Sequence, residues 1–255
     1  MIDKSVIIEK ALFARSHRYI TNCYSFDVLK SASRIFEYDD SFAVISDDHG
    51  INRLYFFVKQ IEYLVSLFNR LDKETYYIEY MTKQPDEYVF ERATVIARLK
   101  RMVNKDCRSV LEDPILDVYR NDLIGEYAVV EDAHEINKLL WDTFHTEISH
   151  LLFDDELAEI IKEKKVIIHK DKQIDALLQI DVLPKKFYIN QVINKADKCV
   201  IHAMLLSELS KYIQNGGQYI YSWVEENNIA SMKFHQKYGM SHDGMWNIVY
   251  RLEIK

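Results

Sequence analysis

Cysteine is scarce in this chain, and the few present do not cluster. The 255 residues include three, Cys23, Cys107 and Cys199. No Cys-x-x-Cys spacing occurs, which excludes a zinc ribbon and a disulfide framework. Glycine and proline are also few, at 6 and 3. Long flexible linkers are thereby excluded, and most residues are expected in helices or strands. No apolar run approaches the roughly 20 residues that span a bilayer, so no membrane is expected. The opening "MIDKSVIIEKALFARS" lacks the apolar core of a signal peptide, and a reducing cytoplasm is the expected location. A basic excess is missing too. Net charge is -7, with 17 Lys and Arg against 16 Asp and Glu over residues 1–110, and 16 against 24 over the remainder. Phosphate neutralisation needs clustered cations, so nucleic acid is not an expected partner. The acidic second part suits a cationic amine, although an ordinary solvated surface has the same composition.

What is present is a succession of short periodic segments. "SFAVISDD" (41–48) and "INRLYFFVK" (51–59) read as strands around a turn at His49 and Gly50, and "TYYIEYMT" (75–82) and "ATVIARLKRMV" (93–103) as two more. Residues 9–37 and "QIEYLVSLFNRLDKE" (60–74) read as helical. The second half repeats that order with longer pieces. Helices are expected over 133–144 and 154–165, strands over 166–170, 174–183 and 187–194, then a helix over 198–214 ending at "NGG". A strand at 219–224, a helix in "NNIASMKFHQKYGMSHDG" (227–244) and a strand at 247–254 follow, with a second turn expected at Gly244. The pattern implies an α/β (α+β) chain of two mixed-sheet domains with flanking helices. They would cover 1–110 and 126–255, with a junction over about 104–125. The 17 Tyr and 12 Phe favour strands and a filled core, and leave room for a homodimer.

The polar residues of 227–244 step by three and four. Asn228, Ser231, His235 and Gly239, followed by Met240, fall on Asn-x-x-Ala/Ser-x-x-x-Tyr/His-x-x-x-Gly-Phe, with Met240 in place of the Phe. Singly, each is also what a capped polar helix face would show. Together, and in this element order, they resemble the last helix of the GNAT superfamily of N-acetyltransferases. The resemblance with element order covers about 126–255, and the whole resembles a tandem GNAT protein whose first copy is degenerate.

The resemblance implies an N-acetyltransferase with acetyl-CoA as cosubstrate and an amine of a small molecule or peptide as acceptor, attacked directly in a ternary complex. The strands at 187–194 and 219–224 would splay, and the pantetheine arm would lie between them against the backbone of Asn190 and Val192. Asn228 would hydrogen-bond that arm, Ser231 would let it approach, and His235 would protonate the leaving thiolate. A general base is expected on a central strand or nearby, with Asp181 first and Glu147 and His150 as others. No metal site is expected, since His145, Glu147 and His150 lack the usual helical spacing. One departure stands out. The family's pyrophosphate loop, Arg/Gln-x-x-Gly-x-Gly/Ala, falls on "DKCVIH", so that Asp197 takes the basic position and Val200 and His202 the glycine positions. Lys195 and Lys198 would have to supply the charge. That departure also allows an alternative, a catalytically silent GNAT-like protein that binds or interacts without normal pyrophosphate recognition.

Overall fold

The computed structural model describes residues 3–85, 90, 92–113, 116 and 125–255. The chain forms two compact units: Met1–Arg98 with Thr146–His150 and Trp246–Lys255, and Leu99–His145 with Leu151–Met245. Much of the expected junction, 114–115 and 117–124, lies outside the described residues.

The first unit begins with α1 (Lys4–Ser16), capped by Asp3, whose side chain accepts from Ser5 N. The helix stops where the apolar stripe stops. Arg18 takes a positive φ of 59°, and Tyr19 N donates to Ala14 O. The helix expected over 9–37 is therefore cut short. Beyond it lie β1 (Ile20–Thr21), a 3-10 turn (Phe26–Ser31) and β2 (Ala32–Tyr38). β3 (Ser41–Asp48) and β4 (Ile51–Val58) form a hairpin whose two turn residues, His49 and Gly50, both have positive φ, as a tight two-residue turn requires. α2 is only Tyr63–Phe68, shorter than the spacing over 60–74 suggests, because Asn69 caps it and the chain must turn into β5 (Thr75–Thr82).

The sheet of this unit runs β2–β3–β4–β5–β12, the last being the end of a long C-terminal strand (Ser241–Glu253). β4 is buried on both faces, which accounts for its unbroken apolar run. Leu54, Phe56 and Val58 pack with α2, whereas Tyr55 and Phe57 pack with α1.

In the second unit the sheet runs β6–β11–β10–β9–β8–β7. These are β6 (Ala93–Asn104, from Leu99 on), β7 (Glu126–Tyr127), β8 (Val166–Lys170), β9 (Ile174–Leu183), β10 (Lys186–Asn194) and β11 (Ile220–Glu225). α3 (Ala133–Trp141) and α4 (Asp154–Lys162) cover one face, where Ile136, Leu140 and Leu157 meet Ile168 and Leu177. α5 (Lys198–Gln214) covers the other, where Met204, Leu205 and Leu209 meet Leu178, Ile180 and Phe187. A short α6 (Ile229–Gln236) follows β11.

Each unit is completed by a strand from the distant part of the sequence. β12 pairs antiparallel with β5 from Trp246↔Thr82 to Glu253↔Thr75, and β6 pairs antiparallel with β11 from Ile220↔Asn104 to Glu225↔Leu99. The turn expected at Gly244 is absent. Its positive φ of 87° is absorbed inside β12, where Asp243 accepts from Met245 N and pairs with Arg101 at 2.6 Å. Among the described residues no helix is long and apolar enough to cross a membrane.

Candidate active site

In the second unit the parallel strands β10 and β11 pair only at Phe187↔Ile220, Tyr188↔Tyr221 and Ile189↔Ser222. Two features part them. The register of β10 against β9 slips between Ile189 and Gln191, leaving Asn190 as the extra residue of a bulge, which bends a strand and re-aims its side chains. At the same point the Ser222 hydroxyl donates to Ile189 O at 2.8 Å, taking up that carbonyl from within the fold. Past this point β11 keeps its ladder with β6, and β10 keeps its ladder with β9. Residues 190–193 and 223–225 therefore face each other without pairing, and Asn190 and Val192 are half-buried beside the gap.

α6 opens directly after β11. Asn228 caps it, its Oδ1 accepting from Ser231 N at 2.9 Å, and the residue is exposed. His235 is the only buried residue of this helix, at 2% exposure. Its Nδ1 lies 2.8 Å from Ser231 O and 3.4 Å from Ser231 Oγ, while Nε2 is buried without a hydrogen-bond partner. A carbonyl oxygen can only accept, so Nδ1 carries the proton. Burial lowers the pKa of the ring, against the hydrogen bond to Ser231, and the neutral imidazole therefore presents a bare lone pair at Nε2. The turn that follows the helix closes at Gly239, φ +66°, where a Cβ would meet Asn104 Nδ2 at 2.9 Å; that amide donates to Tyr238 O.

The other residues singled out from the sequence divide into two groups. Val200 and His202 point into the core at 6% and 3% exposure. His202 Nδ1 meets Tyr238 Oη at 2.7 Å and its ring stacks on Phe234 at 5.2 Å. Burial, then the charge of Lys237, carries its pKa down to about 4, so it too is neutral. Lys198 is exposed at the start of α5. Asp181 is half-exposed and forms an ion pair with Lys165 at 2.9 Å, away from α6 in sequence and in hydrogen bonding. Glu147 and His150 belong to the first unit and lie between helices rather than on one. Among the described residues no group of three or more His, Cys, Asp or Glu could hold a metal ion.

The first unit contains the same strand geometry in a closed form. Its parallel strands β4 and β5 pair only at Arg53↔Tyr77. Residues 20–24 take up the edges that this leaves. β1 pairs with β4 at Ile20↔Val58 and Thr21↔Phe57. The Asn22 amide then donates to Leu54 O at 2.9 Å and accepts from Phe56 N at 2.7 Å, as a strand neighbour would. Opposite, the Tyr24 hydroxyl accepts from Met81 N of β5 at 2.8 Å. Nothing in the spacing of "YITNCYS" signals this; it is a non-local use of side chains in place of a ladder.

A charge cluster in the same unit includes Arg53 of β4 and Glu79 of β5. His150 Nδ1 bonds Asp48 Oδ2 at 2.8 Å and Nε2 bonds Glu79 Oε1 at 2.6 Å. Arg53, 2% exposed, pairs with Asp48 at 3.0 Å and donates to the carbonyls of Glu147 and Thr146 at 2.7 and 2.8 Å. Asn247 Nδ2 donates to Glu79 at 2.8 Å. The ring of His150 lies among densely packed atoms although 46% of its side-chain surface reaches solvent. That packing opposes its charge, but the bonds to Asp48 and Glu79 prevail and carry its pKa up to about 9. Burial likewise opposes the charge of Glu79, and the bond and charge of His150 bring it down to about 2. His150 is thus an imidazolium with both nitrogens donating, and it has no lone pair with which to act as a base.

No family model matches the chain, and no curated protein sequence matches it. Solved structures do. A GCN5-related N-acetyltransferase from Sphaerobacter thermophilus superposes with a TM-score of 0.57 at 11% identity, over 84% of this chain and 77% of that one. A GNAT-family acetyltransferase from Colwellia psychrerythraea gives 0.57 at 13% identity, over 99% and 96%. A tandem GNAT protein from the clavulanic acid biosynthesis pathway gives 0.54 at 9% identity, over 84% and 78%. Mixed sheets flanked by helices define the class. Within it, the fold is that of the GNAT acetyltransferases.

Proposed function

We propose that the chain is an N-acyltransferase of tandem GNAT build, in which the second unit moves an acyl group from a pantetheine thioester of the acetyl-CoA class to an amine. The observation that carries this reading is the parting of β10 and β11 at Asn190, beside a helix whose only buried side chain is His235 with an unpartnered Nε2. Unpaired backbone groups between two strands suit an extended amide-bearing chain, which can pair with them as a further strand would. The pantetheine portion of the donor therefore fits, and it would supply an activated acyl carbon. The closure of the corresponding gap in the first unit by residues 20–24 supports placing the chemistry in the second unit.

In this reading Asn190 and Val192 hold the donor through their backbone, and Asn228 offers its free amide N–H to it. The acceptor amine loses one proton on forming the C–N bond, and the departing sulfur takes one up. His235 serves both needs at one atom: neutral Nε2 accepts the amine proton and returns it to sulfur. Its Nδ1–H bond to Ser231 O keeps the ring in that tautomer throughout.

Calorimetry with acetyl-CoA and with acetyl-pantetheine tests the proposal. Detectable heat at about 1 mM ligand, weakened by Asn228→Ala, supports it, whereas no binding of either at that level removes it. A silent binding protein would bind donor yet release no thiol in the presence of any amine.

A further inference from the structure

The entrance to α5 is built differently from a phosphate site, and the difference lies in hydrogen bonds already made. An anion at a helix N-terminus needs free backbone N–H groups and a backbone that turns them inward, commonly with residues of positive φ. Between β10 and the first turn of α5 four of those groups are spent. Lys195 N and Ala196 N both donate to Asp175 O, at 2.7 and 3.2 Å. Cys199 N donates to Asp197 Oδ1 at 3.0 Å, and Val200 N to Asp197 O at 3.1 Å. No glycine occurs from 190 to 214, and none of the described residues there has a positive φ. The exposed carboxylate of Asp197 already sits at the positive end of the helix, and its hydrogen bonds with Cys199 N hold its pKa below the usual carboxylate range. A pyrophosphate brought here would meet a fixed negative charge, with the amides of Lys195, Ala196, Cys199 and Val200 already donating elsewhere.

We propose that the donor is recognised through its pantetheine arm alone, with Asp197 as the residue that keeps a nucleotide pyrophosphate from the N-terminus of α5. The substrate class is then a pantetheine thioester whose distal phosphate and nucleotide contribute nothing to affinity. This rests on the acyltransferase reading, and extends it from the reacting end of the donor to its far end. Lys195 and Lys198 are exposed on the same loop.

The test compares binding of CoA and of pantetheine, both as reduced thiols, to the full chain and to Asp197→Asn. Asparagine caps a helix about as well as aspartate, so the variant loses the charge and keeps the fold. The wild-type chain is expected to bind the two thiols within about threefold of each other. Asp197→Asn is expected to tighten CoA by about fivefold and leave pantetheine unchanged, since only the pyrophosphate feels the carboxylate. A wild-type preference for CoA beyond about threefold overturns the proposal, as does a variant that binds CoA no better. Either result leaves the acyltransferase reading intact as long as Asn228→Ala still weakens pantetheine. Absence of binding by both thiols overturns that reading, and this proposal with it.

Discussion

The ring of His235 is tied by its Nδ1 to the carbonyl of Ser231, one turn back on the same helix, at 2.8 Å. This contact decides which nitrogen of the ring is available. Burial keeps the ring neutral, so the proton that His235 is expected to give the leaving thiolate is not resident on Nε2. The neutral ring must gain a proton before it can give one.

Replacing His235 with alanine is expected to lower turnover by about a hundredfold or more, the usual scale for loss of an acid–base group, with donor binding little changed. Glutamine, which cannot relay a proton, should not rescue it. Steady-state kinetics with thiol release as the readout checks both variants, and a wild-type rate in either would take His235 out of the mechanism.

The same ring sets a pH dependence. Burial lowers its pKa from the ordinary 6.5, so the reactive neutral form persists to more acidic pH. The acidic limb of the turnover profile is expected below 6.5. A limb above that value, abolished in His235→Gln, would contradict the direction of the shift.

His150 works in the opposite sense. Its folded pKa of about 9 stands above the ordinary 6.5. The stability it contributes is fully present below pH 6.5 and is lost as pH rises through about 9. Thermal midpoints of the wild-type chain should fall over that window, and His150→Gln should flatten the fall. Toward acid, Glu79 and Asp48 have lowered values, so their contribution is present above their ordinary pKa and is lost as pH drops through the folded one.

Asn22 satisfies two buried backbone groups at once, Leu54 O and Phe56 N. Asn22→Ala leaves both without a partner, and each orphaned group costs about 1–3 kcal/mol. Urea unfolding should show a loss in that range or above. A change within experimental scatter would mean that water replaces the amide and that β4 is not sealed by this residue.

Gly239→Ala combines a left-handed backbone with a Cβ placed 2.9 Å from Asn104 Nδ2. The backbone alone costs about 1–2 kcal/mol. Asn104→Ala removes the collision, so the double variant should be less damaged than the sum of the single ones. Strict additivity in a double-mutant cycle would show that the two positions do not touch.

Much of the fold could be read locally. The strands 41–48, 75–82, 166–170 and 174–183 and the helix 198–214 lie where alternation and helical spacing place them, because each pattern reports one element's own buried face. The helix expected over 9–37 failed for the same reason: past Ser16 no stripe continues, and the chain is ordered by partners elsewhere. The motif residues Asn228, Ser231 and His235 were legible because helical spacing alone sets them on neighbouring turns.

The sequence by itself determined which segments are strands and helices, the polar spacing of α6, and the carboxylate at the head of α5. Only the tertiary structure decided which strands lie side by side. It gave β12 to β5 and β6 to β11, opened the gap after Ile189 and closed its counterpart with Asn22 and Tyr24. The reason is physical. Burial periodicity depends on residues a few positions apart, whereas strand pairing and side-chain substitution for a ladder depend on groups tens to hundreds of residues away. The same limit applies to His235: spacing placed it on the helix, and the Ser231 carbonyl together with burial fixed its proton.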